Sequence, residues 1–229
     1  MRNPKPQYRK LYDMVKSGGV EALQAYQELL CYNVAKAIFY QGLCHYFGHG
    51  VTPVNKEKAF ECFKQAESLG SVAALYGLGL IYKTGGGVAQ DDRQAFVYFE
   101  RAVVQGYAEA EYALGVCYHR GEGVTQSFKK AVKCFKSAAN TGVSGAQCAL
   151  GLAYFEGRGI ARSYEKAVEC WTLAAKQNHA KAQLLLGCAY YYGHGVAVNK
   201  WQGVSYMASS AAQGYEPAKQ LLKEVKLGD

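Results

Sequence analysis

Two serine–lysine pairs have the spacing in this sequence that is closest to a catalytic motif. Ser127 precedes Lys130 and Ser163 precedes Lys166, each in the S-x-x-K pattern, which can place a lysine amine beside a serine nucleophile for acyl transfer. A K-T-G triplet, which accompanies this pattern in such enzymes, occurs at residues 83–85, but it precedes both pairs instead of following them. No Ser-Asp-Asn occurs, so we interpret the two pairs as chance matches.

One cysteine and two histidines have a spacing compatible with a metal site. Cys44, His45 and His49 form the pattern C-H-x-x-x-H. However, His49 lies between two glycines, as His194 does in an equivalent segment, and His45 replaces a tyrosine. We therefore expect a surface histidine and a packed histidine. No Ser/His/Asp or paired-carboxylate arrangement can be assembled, and the sequence predicts no catalytic residue, no metal and no cofactor.

Eight cysteines could form four disulfides in a secreted protein. Their positions argue against this, because Cys62 and Cys134 occupy a position where an equivalent segment carries Tyr98. Cysteine that alternates with large apolar residues behaves as a buried thiol. We expect eight free thiols and therefore a reducing compartment, the cytoplasm. The first residues are basic without an apolar stretch behind them, so the sequence shows no secretory signal. The alternatives to a cytoplasmic protein are one whose leader was removed and a secreted or translocated effector.

The elements that position these residues come from a repeat of about 36 residues. Apolar residues at three- and four-residue spacings predict a helix A, which ends at a G-x-G turn. A second column holds only good N-cap residues, where helix B should begin: Asn55, Asp91, Ser127, Ser163 and Asn199. Helix B carries a small–large–small stripe such as Ala131, Phe135 and Ala138, and a glycine or Asn178 closes it.

A glycine recurs in the middle of helix A at Gly42, Gly79, Gly115, Gly151 and Gly187. Because glycine costs about 1 kcal/mol relative to alanine in a helix, its recurrence indicates that a neighbouring helix passes too close for a β-carbon. Helix pairs this short bury their apolar stripes only by stacking on one another. We predict an all-α, right-handed superhelix of five repeats over 35–215, with capping helices at 1–34 and 216–229, as one continuous domain.

The pattern A-x-x-x-L-G-x-x-Y-x-x-G-x-G-V, followed by an N-cap residue, Lys-Ala, an aromatic residue and Ala-Ala-x-x-Gly, resembles the Sel1-like repeat family, which is related to the tetratricopeptide repeats. Gln41 and His45 depart from it in the first repeat. The resemblance implies a helical solenoid that acts as an adaptor between proteins. A cysteine-rich branch of the family is linked to β-lactam binding, which keeps a cell-wall or β-lactam hydrolase as the alternative function.

Half of the residues are hydrophobic and 19% are charged, which fits a folded protein and excludes wholesale disorder. No apolar run approaches the roughly 18 residues that a membrane helix needs. The net charge is +8, and RNA binding through a basic surface is a third interpretation. The longest basic cluster, at residues 129–136, fits a solvated helix face, so a protein partner is favoured over nucleic acid. A monomer is favoured.

By resemblance to tetratricopeptide repeats, the variable positions of helix A line a concave groove. In the third repeat they are Glu109, Tyr112, Val116, His119 and Arg120, and the other repeats have equivalents. Among these positions we predict the partner-binding residues, because aromatic and cationic side chains dominate binding energies. They are Tyr46, Phe47, Lys83, His119, Arg120, Phe155, Tyr191 and Tyr192.

Overall fold

The computed structural model of the chain describes residues 34–48 and 53–227, which form eleven helices and no strand. In chain order they are α1 (Val34–Phe47), α2 (Lys56–Ser68), α3 (Val72–Thr84), α4 (Asp92–Val104), α5 (Ala108–Arg120), α6 (Phe128–Asn140), α7 (Ser144–Glu156), α8 (Tyr164–Lys176), α9 (Ala180–Tyr192), α10 (Lys200–Ala212) and α11 (Glu216–Leu227). The odd-numbered helices from α1 to α9 are the predicted helices A, and the even-numbered helices from α2 to α10 are the predicted helices B. The all-α helical-repeat superhelix is confirmed. The predicted N-terminal capping helices and His49 fall outside the described residues.

Every helix B begins at the predicted N-cap residue. The side chains of Asn55 and Asp91 accept hydrogen bonds from the backbone N–H groups of Lys58 and Gln94, at 2.8 and 2.9 Å. Asn199 makes the same bond further along the chain, at 3.0 Å. Each bond satisfies a backbone donor that the first helical turn leaves without a partner.

Two of these caps are the serines of the S-x-x-K pairs. Ser127 and Ser163 accept from the backbone N–H of Lys130 and Lys166, at 3.4 and 3.2 Å. The lysine side chains are engaged elsewhere: Lys130 Nζ lies 5.2 Å from the ring centre of Tyr118, and Lys166 makes the equivalent contact with the tyrosine of the next repeat at 5.7 Å. The serines therefore begin helices, and the lysine ammonium groups contact aromatic rings.

The recurring glycine of helix A faces the large residue of helix B. A β-carbon built on Gly115 would lie 2.6 Å from Phe135 Cε1, and one on Gly79 would lie 2.4 Å from Phe99 Cε1. The large residue is almost fully buried in every repeat: Phe63, Phe99, Phe135, Trp171 and Met207. The close helix approach inferred from the sequence is confirmed.

Asn178 ends α8 in the left-handed region, with φ of 59°, as the glycines that close the other helices B do. At the C-terminal end, Ala218 of α11 is fully buried and belongs to one apolar cluster with Leu184 and Met207. None of the helices within residues 34–48 and 53–227 is long and apolar enough to span a membrane.

The cysteines that the structure describes are thiols. Cys44, Cys117 and Cys148 are buried and the other four are half-buried. Burial raises the pKa of the Cys148 and Cys170 thiols to about 11, which holds them in the protonated, weakly nucleophilic form. Cys31 lies outside the described residues, so the expectation for all eight cysteines stays a prediction.

The chain divides into two compact units. The first takes in the described residues up to Ala110 together with Glu122–Val124, and the second takes in Glu111–Gly121 and the described residues from Thr125 onward. The first unit is built around Phe63, Leu78 and Ile81, and the second around Phe135, Trp171 and their neighbours. The predicted single continuous domain stays a prediction.

Candidate functional site

The predicted site residues all lie in the last turn of a helix A. The sequence G-x-G follows each of these helices, and its first glycine adopts a positive φ, for example 75° at Gly121. That conformation is accessible to glycine at little cost and stops the helix at a fixed point. Each repeat therefore presents two variable side chains at the same place, which we call the helix-A end. They are Tyr46 and Phe47, Lys83 and Thr84, His119 and Arg120, Phe155 and Glu156, and Tyr191 and Tyr192.

In the first unit, the helix-A end of α1 is an aromatic pair. The rings of Tyr46 and Phe47 meet edge to face, with centres 4.8 Å apart. The Tyr46 hydroxyl donates to Thr84 Oγ1 at 3.3 Å, and Lys56 Nζ lies 5.9 Å from the Tyr46 ring centre. Phe47 is 49% exposed, so it presents apolar area to solvent while Tyr46 joins two repeats.

Lys83, also in the first unit, forms an ion pair with Glu122. Glu122 is the middle residue of the G-x-G turn in the next repeat. The two side chains are 24% and 28% exposed, which places the pair at a partly desolvated position. The carboxylate therefore offsets the positive charge that the sequence had offered for partner binding.

In the second unit, the helix-A ends of α5 and α7 each take part in a cluster of three side chains, and the two clusters have the same arrangement. The His119 ring packs edge-on to Phe128, at 5.2 Å between centres, and the Arg158 guanidinium lies 5.8 Å from the same ring. One repeat later, Phe155 and His194 contact Tyr164 at 5.1 and 5.6 Å.

Each contact joins a helix-A end, the first residue of the following helix B, and the middle residue of the next G-x-G turn. Phe128 and Arg158 are not among the residues predicted from the sequence, because the middle residue of the turn is expected to be a surface position. The residue types could have indicated these contacts. An aromatic residue at the start of helix B recurs with a cationic residue or a histidine in the next G-x-G turn, as Tyr164 does with His194.

Tyr191 and Tyr192, at the end of α9, contact each other edge to face at 5.0 Å. Lys200 Nζ lies 5.3 Å from the Tyr191 ring centre. Tyr192 is 55% exposed, whereas Tyr191 is half-buried. This end therefore offers one ring to solvent and holds the other against its own repeat.

The second unit also contains a cleft of about 270 Å³ beside His119 and Arg120. Its floor is apolar and comes from α5, α6 and α7, and its rim is charged. The lining residues are Val116, His119, Arg120, Phe135, Ala149, Leu152, Ala153, Glu156, Arg158 and Lys181. Four of these residues occupy variable positions of helix A, which are expected to line the binding groove, but they are not among the eight predicted partner-binding residues: Val116, Leu152, Glu156 and Lys181.

The charges of the cleft are unbalanced. Three of the lining residues are permanent cations and one, Glu156, is a carboxylate. Arg158 Nε and Glu156 Oε2 form an ion pair at 3.1 Å, whereas Lys181 forms no ion pair or hydrogen bond with any residue of the described ranges. Burial lowers the pKa of His119, and the Arg158 charge lowers it further, while Glu156 raises it. At neutral pH the imidazole is therefore mostly uncharged, and Lys181 is a cation of the rim that no carboxylate of the described residues pairs with.

Of the three residues with the spacing of a metal site, Cys44 and His45 lie within the described residues and His49 does not. His45 is half-buried, and its Nδ1 is buried without a hydrogen-bond partner. Burial lowers the pKa of His45, and the Lys58 charge adds to the effect. Within residues 34–48 and 53–227, no group of three or more His, Cys, Asp or Glu side chains comes together as a metal site would require.

Comparison with known families gives one match. The family model for the Sel1 repeat matches five consecutive segments, at residues 31–71, 72–107, 108–143, 144–179 and 180–215. These segments coincide with the five helix pairs, and the first also takes in residues that the structure leaves undescribed. Among curated proteins, none matches this chain significantly.

Solved structures provide the second comparison. A Sel1 repeat protein from Oxalobacter formigenes superposes with a TM-score of 0.77 at 26% identity, covering 97% of this chain and 89% of that protein. A protective antigen with an SLR fold from uropathogenic Escherichia coli is 30% identical, with a TM-score of 0.57, over 89% of this chain and 51% of its own. A Sel1 repeat protein from Klebsiella pneumoniae, at 20% identity and a TM-score of 0.60, covers 88% of this chain and 97% of its own, and supports the fold alone.

Proposed function

Because this chain belongs to the Sel1-repeat family, whose members are generally protein-interaction scaffolds, we propose that it is a non-enzymatic scaffold that binds a partner protein or peptide. The partner lies along the helix-A ends. One observation carries this proposal: the helix-A ends are rich in aromatic and cationic side chains. These side chains differ between repeats, whereas the neighbouring packing positions keep the same kind of residue.

Exposure supports this assignment. Phe47 and Tyr192 are about half exposed, and Arg120 is exposed at the rim of the cleft. Aromatic and arginine side chains are the types that most often dominate binding energy at protein interfaces. Helices whose ends are fixed by caps and turns are already ordered, so little conformational entropy is lost on their side when a partner binds.

The proposal is tested by capture of a partner from the native cell with the tagged protein, followed by affinity measurements on variants. Arg120→Ala and Tyr191→Ala should each weaken binding by about 1 kcal/mol or more while circular dichroism stays unchanged. Lys136→Ala, an exposed position on α6, is the matched control and should bind as wild type. If Lys136→Ala weakens binding and the other two variants do not, the partner binds the helix-B surface and the assignment is wrong.

A hydrolase acting on cell-wall or β-lactam substrates is the alternative, and the S-x-x-K pairs are the feature that would carry it. We expect no turnover of a chromogenic β-lactam, because Ser127 and Ser163 accept capping bonds and the lysines contact tyrosine rings. Turnover that disappears in the double variant Ser127→Ala, Ser163→Ala would establish the hydrolase instead.

Binding of RNA through the basic surface is the third candidate, and the net charge of +8 is its only support. It requires an affinity that falls steeply with salt. We place the protein in the cytoplasm, on the thiol state of the cysteines in the described residues, and we favour a monomer. Alkylation of the denatured protein without reductant should label all eight cysteines; labelling of fewer than about five would contradict this placement.

A further inference from the structure

We propose that the cleft of the second unit, bounded by α5, α6, α7 and α9, is an anchor site for a carboxylate that stands next to an apolar side chain in the partner. This inference rests on the proposed function, because it names the chemistry by which a partner is recognised. Three properties of the cleft carry it: its size, its apolar floor and its charged rim.

The size of the cleft sets the amount of ligand that fits. Pockets that enclose a drug-sized ligand measure roughly 300–1,000 Å³, and this cleft measures about 270 Å³. Because its volume lies just below that range, it holds a short group from a peptide rather than a whole segment. The rest of the partner lies outside the cleft, along the neighbouring helix-A ends.

The floor selects an apolar group. Val116, Leu152 and Phe135 line it, together with two alanines. Phe135 is 3% exposed and belongs to one apolar cluster with Ala131 and Leu150. An aliphatic side chain that enters the cleft leaves water for an apolar surface, which contributes about 25 cal/mol for each Å² of apolar area that is buried.

The rim selects an anion. Arg120, Arg158 and Lys181 surround a cleft whose lining holds a single carboxylate, Glu156. Glu156 forms an ion pair with Arg158, and Lys181 has no ion-pair partner within the described residues, so its ammonium group is available to a ligand. The electrostatic influence of Arg158, Arg120 and Lys181 extends to His119 at the cleft. A second carboxylate brought in by the ligand would improve the charge balance of the site.

A carboxylate beside an apolar side chain occurs in two places in a peptide: at the C-terminus of a chain that ends in an apolar residue, or where Asp or Glu adjoins an apolar residue. N-acetyl-leucine represents the first and N-acetyl-aspartyl-leucinamide, whose C-terminus is blocked, represents the second. N-acetyl-leucinamide has the same side chain as the first probe but no carboxylate, and it is the matched control ligand.

Titration of the isotope-labelled full chain with these probes, followed by NMR, tests the proposal. At about 10 mM probe, at least one of the two carboxylate probes should shift the backbone signals of Val116, Leu152 and Lys181. The control ligand should bind at least about tenfold more weakly. The stronger of the two carboxylate probes identifies the source of the anion. Equal binding of the control ligand, shifts confined to other regions, or no shift with either carboxylate probe would overturn the proposal.

Two substitutions of exposed residues separate recognition from folding. Lys181→Gln should weaken the better carboxylate probe by about fivefold, whereas Lys133→Gln, an equal charge change on α6 away from the cleft, should have no effect. Glu156→Gln removes the competing carboxylate and should tighten binding by about twofold to fivefold. A damaged fold does not produce tighter binding. Unchanged affinity in both Lys181→Gln and Glu156→Gln contradicts the proposal.

The same variants distinguish this inference from the proposed function. If a captured partner depends on Tyr191 but binds Lys181→Gln as it binds wild type, the scaffold function stands and the cleft is not the anchor. If the cleft binds the carboxylate probes but the captured partner is insensitive to every helix-A substitution, the partner surface lies elsewhere and the proposed function fails.

Discussion

Two lysines on helices A, Lys83 near the end of α3 and Lys181 near the start of α9, have different surroundings in the two units of the protein. In the first unit, Lys83 is paired with Glu122, and both side chains are about three-quarters shielded from solvent. In the second unit, Lys181 stands without an ion-pair partner in the described chain, beside a cleft where Arg158 already holds the one lining carboxylate.

This difference shows what the repeat fixes and what it leaves open. The capping residue, the mid-helix glycine and the large residue of helix B fix where each helix-A end lies. They do not determine whether the side chain there is bound by a neighbouring turn or remains available to a ligand. The type of the middle residue in the next G-x-G turn contributes to this availability. Glu122 pairs with Lys83, whereas Arg158 adds a positive charge to the rim of the cleft. Substitutions of packing residues can therefore be compared at equivalent positions of the two units, whereas Lys83 and Lys181 are compared by their surroundings.

The largest effect is expected from the large residue of helix B, which both units use alike. Phe99→Ala in the first unit and Phe135→Ala in the second should each lower the free energy of unfolding by about 3–5 kcal/mol, because both rings are buried and leave a cavity. Urea unfolding followed by circular dichroism measures the loss. A loss below about 1 kcal/mol in one unit only would show that the two units are not packed alike.

The mid-helix glycine should come next. Replacement of glycine by alanine in a helix ordinarily stabilises it by about 1 kcal/mol. In Gly79→Ala and Gly115→Ala the added carbon would lie within 2.7 Å of a buried ring, so we expect destabilisation by about 1–3 kcal/mol in both units. An increase in unfolding free energy in either variant contradicts the close packing described here.

The two lysines should differ in stability by a smaller amount. Lys83→Gln removes an ion pair and should cost up to about 1 kcal/mol, whereas Lys181→Gln should change the unfolding free energy by less than about 0.5 kcal/mol. Chemical denaturation at low and at high salt measures both, and the loss in Lys83→Gln should shrink at high salt. Equal losses in the two variants would remove the contrast between the units.

The smallest effect concerns pH and the second unit. The His179 imidazole accepts a hydrogen bond from the backbone N–H of Ala182 at 3.2 Å, which requires an unprotonated Nδ1. Burial lowers the pKa of His179, and the Lys181 charge lowers it further. The unfolded chain, in which the histidine pKa is about 6.5, therefore binds a proton at this residue more readily than the folded chain does. The contribution of neutral His179 to stability is complete above about pH 6.5 and is lost as the pH falls through the lowered pKa of the folded state.

His179→Asn keeps a capping acceptor and removes the titrating group. The variant should therefore lose less unfolding free energy than wild type between about pH 7.5 and about pH 5.5. Urea unfolding at the two pH values provides the measurement. A variant that loses as much as wild type would show that His179 is not responsible.

Much of the fold could be predicted from the sequence because its determinants recur. Asn55 and Ser127 share a column of capping residues, and Gly115 shares one with four other glycines, so periodicity alone assigns their roles. The contacts of the candidate site involve residues that differ between repeats. Nothing periodic indicates that Lys83 meets Glu122, or that Arg158 lies over Phe128, because these contacts depend on the spatial proximity of two variable positions from neighbouring repeats.

Binding of a partner along the helix-A ends is tested most directly by the affinities of two double variants for a captured partner, measured by isothermal titration calorimetry. Arg120→Gln, Lys181→Gln removes two cations from the cleft, and Lys133→Gln, Lys136→Gln removes two from exposed positions of α6. We predict that the cleft variant binds at least about tenfold more weakly than wild type and that the α6 variant stays within about twofold. Equal weakening in both variants, or weakening in the α6 variant alone, would contradict binding along the helix-A ends.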